Sequence, residues 1–303
     1  MSRLNSFCLA ALVVAIFASF AIAKDVPYVP TPTEVVEEML EVANVKEGDV
    51  VYDLGCGDGR IVITAAKKHG ATGVGVDIDP ERIAESKENA RAAGVTDKVK
   101  FVEGDLFEMD FSKATVLTLY LLPSVNLRLR DTILEDLKPG TRVVSHAFDM
   151  GDWEPDVTRT VEPGSRMVYY WVVPAQVAGT WDVTIKTEQG EQQAKLELQQ
   201  EYQNVTGKAR IGDREVELRD AKLEGSNLTF ALPAAGEGQA YKYAVRIDGE
   251  NMVGSAVARE GEQRVPQITG TLQESEQART AAGRNGQRDR DKQEQREPQE
   301  VAD

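Results

Sequence analysis

Residues 50–60 read Val-Val-Tyr-Asp-Leu-Gly-Cys-Gly-Asp-Gly-Arg, and no other segment restricts the fold as much. An apolar, β-branched run leads into three glycines spaced two apart, and a helix-compatible stretch, Ile61–His69, follows. Glycine tolerates left-handed backbone and lets a ligand approach the main chain closely. The N–H groups that open the next helix have no partner within it. A buried strand, a tight turn and a helix N-terminus in that order make an α/β ligand-binding crossover.

The first half keeps this alternation. Asp49–Leu54, Thr72–Val76, Val99–Glu103, Ala114–Leu121, Arg142–Phe148 and Met167–Val173 read as strands. Between them Ile61–His69, Pro80–Ala93 and Leu127–Leu137 read as helices, the second closed by Gly94 and the third by Pro139-Gly140. Ahead of them, Thr31-Pro32-Thr33-Glu34 fits a capping box for a helix that shows Val35, Val36, Met39, Leu40 and Ala43 on one face. The expected fold class is α/β, a Rossmann-like doubly wound sheet with helices on both faces. From Gly179 the texture changes to two-residue alternation. Trp181, Val183 and Ile185 share one face and Asp182, Thr184 and Lys186 the other, and short strands continue to Val257. That pattern predicts a small antiparallel β domain, a barrel or meander.

Three carboxylates narrow the choice of ligand. Glycines alone do not, because dinucleotide enzymes use them too. The G-x-G-x-G spacing lacks the wider final gap of the dinucleotide fingerprint. Asp53, two residues before Gly55, would repel a pyrophosphate but suits the positively charged amino group of a methionine moiety. Asp77 ends the next strand, where a carboxylate accepts both ribose hydroxyls. Asp105 follows the third strand, where a side chain meets the adenine amino group. Singly, Asp77 reads as a loop cap and Asp105 as a helix cap; their joint order favours S-adenosylmethionine. The candidate cofactor residues are Asp53, Gly55, Cys56, Gly57, Gly59, Asp77, Ile78, Asp105 and Leu106. Cys56 itself reads as a small packing residue, with a free reactive thiol as the alternative.

Asp53–Arg60, Asp77 and Asp105 resemble motifs I, II and III of the class I (seven-β-strand) S-adenosylmethionine-dependent methyltransferases, over about residues 27–173. Three stretches narrow the resemblance: Pro27-Tyr28-Val29-Pro30, Tyr120 to Asn126, and Arg142 to Phe148 with Asp152-Trp153 nearby. They are similar to the lysine methyltransferases that modify the ATP synthase c subunit and the adenine nucleotide translocase. In those enzymes the Pro-aromatic-Val-Pro stretch helps form the active site. The resemblance implies in-line methyl displacement from a sulfonium onto a protein lysine, with the protein supplying orientation and electrostatics. Tyr28, Tyr120 and Asn126 are the candidate catalytic residues that line the acceptor channel. Their structural alternatives are packing on the sheet, filling the core and capping the next helix. A small-molecule acceptor remains the alternative, because the same cofactor loop serves both. His69 reads as a helix C-terminal charge and His146 as a strand residue, and so few soft ligands argue against a metal site.

The chain of 303 residues carries a formal net charge of −15, a poor match for a nucleic-acid backbone. Its start, Met-Ser-Arg, an apolar run Phe7–Ala23 and the ending Ala21-Ile22-Ala23, describes a secretory signal peptide, with an uncleaved anchor as the alternative. Cleavage would leave an exported, periplasmic or secreted protein with no membrane span, and Cys56 with no disulfide partner. The expected divisions are 1–23 signal peptide, 24–174 methyltransferase domain, 175–271 antiparallel β domain, and 272–303 disordered tail without aromatics. The β domain resembles small lipocalin-like modules and carries no catalytic constellation. S-adenosylmethionine is made in the cytoplasm, so export leaves a non-catalytic binding protein as a further alternative.

Overall fold

The structure, a computed structural model, describes residues 28–188, 190–232, 240–257 and 265–273. The expected signal peptide and nearly all of the expected tail lie outside them. The first part runs α1 (Thr33–Val42), β1 (Val50–Leu54), α2 (Arg60–His69), β2 (Thr72–Asp77), α3 (Pro80–Ala93), β3 (Val99–Glu103), β4 (Val116–Leu119), α4 (Pro123–Asp136), β5 (Arg142–His146), β6 (Val157–Val161) and β7 (Arg166–Val172). These strands form one seven-stranded sheet in the order β3-β2-β1-β4-β5-β7-β6. β1 to β5 run parallel to one another; β7 pairs antiparallel with β5 and with β6. The chain steps one way from β1 to β2 and β3, then crosses back to β4 and β5. The carboxyl ends of β1 and β4 therefore flank the switch point at which open α/β sheets bind ligands.

The central strands are apolar on both faces because both are covered. β4 is buried at every residue, and β1 and β5 at all but their first. One face packs against α1, α2 and α3 through Val35, Met39, Leu40, Val62, Ala65 and Ile83. The other packs against α4 through Val125, Leu129 and Ile133, together with Phe111, Trp153 and Trp171. Among the described residues that second face has a single helix.

Three local expectations are corrected. Thr31 does not close a capping box: Pro32 is itself the N-cap of α1 and no side chain caps the helix. The Thr31 hydroxyl instead lies 3.4 Å from His146 Nδ1 at the end of β5. α4 starts at Pro123, four residues before Leu127, because proline at a first helical position already has the right φ. β6 had no counterpart in the sequence reading. Thr158, Arg159 and Thr160 are exposed on this edge strand, so it shows no apolar alternation.

The second part is all β: β8 (Gly179–Thr187), β9 (Gly190–Glu201), β10 (Asn204–Ile211), β11 (Arg214–Glu217), β12 (Arg219–Glu224), β13 (Asn227–Leu232), β14 (Tyr241–Asp248), β15 (Asn251–Ala256) and β16 (Gln267–Leu272). They form one antiparallel, nine-stranded sheet ordered β11-β10-β9-β8-β16-β15-β14-β13-β12. β12 returns alongside β10, so the sheet curls into a barrel-like form. Trp181, Leu196, Leu228, Phe230, Tyr243 and Ile268 are buried together and fill it. Leu272 pairs with Trp181, and the Gln273 N–H donates to Thr180 O at 2.8 Å. The sheet thus continues past the expected start of the tail. Among the described residues no helix is long and apolar enough to cross a membrane.

Candidate active site

The glycine turn shapes the site by what it leaves out. Gly55, Gly57 and Gly59 all adopt positive φ, at 79°, 52° and 79°. A Cβ on Gly57 would stand 2.5 Å from the Tyr28 ring, and one on Gly59 2.6 Å from the Phe101 ring. Main chain therefore meets aromatic rings directly at two points of the turn. Gly59 also caps α2 without using a side chain, and its carbonyl accepts the Ile63 N–H at 3.0 Å.

A cleft of about 200 Å³ opens at the carboxyl ends of β1, β2 and β4. Of the sequence candidates, Tyr28, Asp53, Gly55, Cys56, Gly57, Asp77, Ile78, Asp105, Leu106 and Tyr120 line it. Gly59 stands behind the turn, and Asn126 is buried beneath the wall that Leu121 and Val125 form. Thr31, Asp58, Arg60, Asp79, Arg82 and Phe107, none of them among the site candidates from sequence, also line the cleft. Asp58 and Arg60 lie inside the glycine motif itself. Arg82 and Phe107 reach the cleft from the first turns after β2 and β3 and carry no local signal.

The carboxylates differ in how they are held. Asp77 accepts the Gly57 N–H at 2.8 Å on one oxygen and the Asp79 N–H at 2.9 Å on the other, fixing the turn against the end of β2. Asp105 accepts the Phe107 N–H at 2.9 Å. Burial would push the Asp58 carboxyl up, but Arg60 outweighs it and holds the group below the usual range. That pair is two-pronged, at 2.9 Å and 2.6 Å, and Arg60 also donates to Thr31 O at 2.7 Å. The 28–31 segment is thereby buckled to the glycine turn. Arg82 lies over the Tyr28 ring, 4.6 Å from its centroid. Asp53 is 2% exposed, and Thr118 Oγ1 lies 2.8 Å from one of its oxygens. Burial, and then the charges of Asp77 and Asp58, push its carboxyl up to about 7. Burial pushes the Cys56 thiol well up, with Asp53 and Asp77 adding to it, so Cys56 acts as packing rather than as a nucleophile.

A family model described as the ANTKMT methyltransferase domain matches residues 53–157. A protein-lysine N-methyltransferase of Saccharolobus islandicus is 51% identical over 151 residues, covering 49% of this chain and 94% of that protein. The chain belongs to the protein-lysine N-methyltransferase family. It is an S-adenosylmethionine-dependent methyltransferase, and the carboxylates of Asp53, Asp77 and Asp105 around the glycine turn suit a cationic ligand that carries hydroxyl groups. A human lysine N-methyltransferase of the ATP synthase c subunit is 35% identical over 130 residues, 43% of this chain. Against that relative the chain spans 55% of its length. A solved structure described as an RNA methyltransferase from Salinibacter ruber in complex with S-adenosyl-L-homocysteine is 59% identical, covers 49% of this chain and 96% of that one, and has a TM-score of 0.47.

Behind the cleft wall the methyltransferase carries a buried histidine. The His146 ring lies 3.9 Å from the Tyr120 ring and is 3% exposed. Burial, and then Arg166, push its imidazole down to about 4, so it is neutral at physiological pH. This gives a signed prediction for stability. The folded value lies below that of a free imidazole, so the contribution is complete above about pH 6.5 and is lost as pH falls toward 4. The gap corresponds to about 3 kcal/mol. A His146→Gln variant should lose less Tm than the parent between those pH values. Parallel Tm-against-pH curves for the two proteins would refute it. Asn126, read from sequence as a channel residue, donates from Nδ2 to Ser145 Oγ, Phe148 O and Asp149 O, each at 3.2 Å. It ties α4 to the loop after β5.

Proposed function

We propose that this methyltransferase transfers the methyl group of S-adenosylmethionine to the side-chain nitrogen of a protein lysine. The observation that carries the reading is 51% identity to a protein-lysine N-methyltransferase across 94% of that protein's length. In this reading Asp53 takes the amino group of the methionine moiety, Asp77 the ribose hydroxyls, and Asp105 with Ile78 and Leu106 the adenine. Gly55, Gly57 and Gly59 let the main chain come close enough to do so. The bound cofactor supplies a sulfonium-activated methyl group for in-line displacement.

The chain's own residues prepare the acceptor. A lysine nitrogen must be neutral to react. The aromatic and aliphatic wall of Tyr28, Phe107, Tyr120, Leu121 and Val125 disfavours an ammonium by desolvation. Asp58 is committed to Arg60 and His146 is walled off behind Tyr120, so neither stands free as a base. Because only the neutral amine reacts, the rate with a lysine acceptor should rise with pH through the alkaline range. The net charge of −15 favours a basic protein segment over RNA.

The test is transfer of radiolabelled methyl groups to poly-L-lysine and to fractionated host protein, RNA and small molecules. Label recovered as methyl-lysine after acid hydrolysis supports the reading. Label confined to small molecules or to RNA would sink it. We further read residues 1–23 as an export signal that leaves the mature protein outside the cytoplasm, supported by the basic start, apolar run and Ala-Ile-Ala ending. Cytoplasmic retention of a reporter fused to residues 1–30 would overturn that.

A further inference from the structure

Among the described residues the second face of the methyltransferase sheet has one helix, α4, and the barrel adds to its cover through Tyr202. Tyr202, in the turn between β9 and β10, packs against the cluster of Trp153, Trp171 and Leu129. Its ring stacks on Trp153 with centroids 6.3 Å apart and planes 20° from parallel. The Arg130 guanidinium of α4 lies 5.6 Å from the same ring. Gln203 donates from Nε2 to Glu154 O at 2.7 Å. The turn is itself braced, because Gln200 Nε2 donates to Tyr202 O at 2.7 Å and to Ala175 O at 2.8 Å. Tyr202 sits at φ +54°, a conformation that a large side chain adopts only where its surroundings impose it.

What this turn grips is the loop that follows β5. Residues 147–153 leave the sheet with Ala147 at φ +68° and close on a bridge between Met150 and Trp153. Arg130 donates to Met150 O at 3.0 Å, and Trp171 Nε1 donates to Trp153 O at 2.8 Å. Gly151 lies so close to α4 that a Cβ there would stand 2.8 Å from Leu127 Cδ2. Asn126 holds the loop's first carbonyls, and its neighbour Val125 is part of the cleft wall. Contacts thus run without a gap from the barrel turn, through the loop and α4, to the cleft.

A second observation falls in the same place. Among the described residues, four buried side-chain polar atoms have no hydrogen-bond partner: Asn126 Oδ1, Arg130 Nε, Trp153 Nε1 and Gln203 Oε1. All four belong to this junction, two on α4, one on the loop and one on the barrel turn. Of the four, Arg130 Nε lies 3.8 Å from the Asp131 carboxylate, beyond hydrogen-bond reach. The four atoms fall together where the barrel turn, the loop and α4 meet.

We propose that the β9–β10 turn of the barrel is a positioning element of the methyltransferase site, setting the register of the 147–153 loop and of α4 behind the acceptor wall. Tyr202 and Gln203 touch neither cofactor nor acceptor; they act through Trp153, Arg130 and Asn126. The relative of Saccharolobus islandicus, matched over 94% of its length by about half of this chain, has no room for such a barrel. The barrel here is therefore an addition that this protein has built into its site.

The inference rests on the methyltransferase reading, and the experiment separates the two. Full-length parent, Tyr202→Ala, Tyr202→Phe and Gln203→Ala are compared by amide hydrogen exchange, by S-adenosyl-L-homocysteine titration, and by kcat and KM with poly-L-lysine. Tyr202→Ala should raise exchange in residues 123–130 and 145–153 at least tenfold. It should lower kcat/KM for the acceptor at least fivefold and leave S-adenosyl-L-homocysteine affinity within twofold. Tyr202→Phe keeps the ring and should match the parent. Gln203→Ala should fall between them and gives the answer if Tyr202→Ala fails to fold. Unchanged exchange and unchanged acceptor kinetics in both alanine variants would overturn the proposal. Failure of the parent to bind S-adenosyl-L-homocysteine would instead count against the methyltransferase reading, and the exchange comparison would still decide the coupling.

Discussion

Replacing Asp77 by alanine should weaken S-adenosylmethionine binding by at least about a hundredfold. Two separate losses add. Without the carboxylate, the Gly57 and Asp79 N–H groups have no acceptor, and the turn that presents Gly55 and Gly57 loses its tie to β2. Hydrogen bonds to a charged acceptor contribute about 1.5–3 kcal/mol each. The ribose hydroxyls, in the proposed binding mode, lose their acceptor at the same time. Even the lower value, taken twice, amounts to about a hundredfold in affinity. Asp77→Asn separates the two losses. Its single oxygen can serve one N–H while its amide nitrogen faces the other, so its affinity should lie between parent and alanine variant. The measurement is calorimetric titration of all three proteins, with circular dichroism to confirm that each is folded. A Kd for Asp77→Ala within threefold of the parent would remove Asp77 from the site.

The features legible in the sequence were those whose cause is local. The strand–turn–helix at 50–60 declares itself because burial, positive φ and helix start are encoded within a dozen neighbouring residues. Barrel strands such as β8 show a buried–exposed alternation that matches the pleat. What stayed hidden depends on contacts between distant residues. Thr31 looked like a helix cap because its spacing to Glu34 fits one, yet its hydroxyl turns to His146, 115 residues away. Asn126 looked like a channel residue because it follows β4. The earlier start of α4 at Pro123 rotates it inward onto the loop after β5. β6 was invisible because an edge strand needs no apolar face. The covering of the second sheet face by Tyr202 was beyond any local pattern, since it joins the two sheets.

The second large effect is a pH dependence of cofactor affinity that one buried group controls. Asp53 is 2% exposed, and its carboxyl is pushed up to about 7 by burial and by Asp77 and Asp58. Near neutral pH the free protein therefore holds part of a proton there. A cationic amino group placed against Asp53 favours the ionised form and drives that proton off. Binding should release a fraction of a proton at pH 7, measurable as a dependence of binding enthalpy on the buffer's ionisation heat. Below pH 7 each unit of acidity should weaken binding close to tenfold, giving about a hundredfold between pH 5 and pH 8. Asp53→Asn should bind more weakly at pH 8 and lose this slope. The same group makes an opposite prediction for stability without cofactor. Its folded value lies above that of a free carboxyl, so its stabilisation is complete below about pH 3.8 and is lost as pH rises to about 7. Asp53→Asn carries no such penalty and can still accept from Thr118. The unliganded variant should melt higher than the parent at pH 8, by about 2 kcal/mol more than at pH 5. A variant with weaker cofactor binding and a more stable empty fold would show that Asp53 is kept for its charge, against the interest of the core. A variant that is less stable than the parent at pH 8, with an unchanged pH slope of binding, would mean that Asp53 is an ordinary buried hydrogen-bonding group and that the cofactor's amino group is held elsewhere.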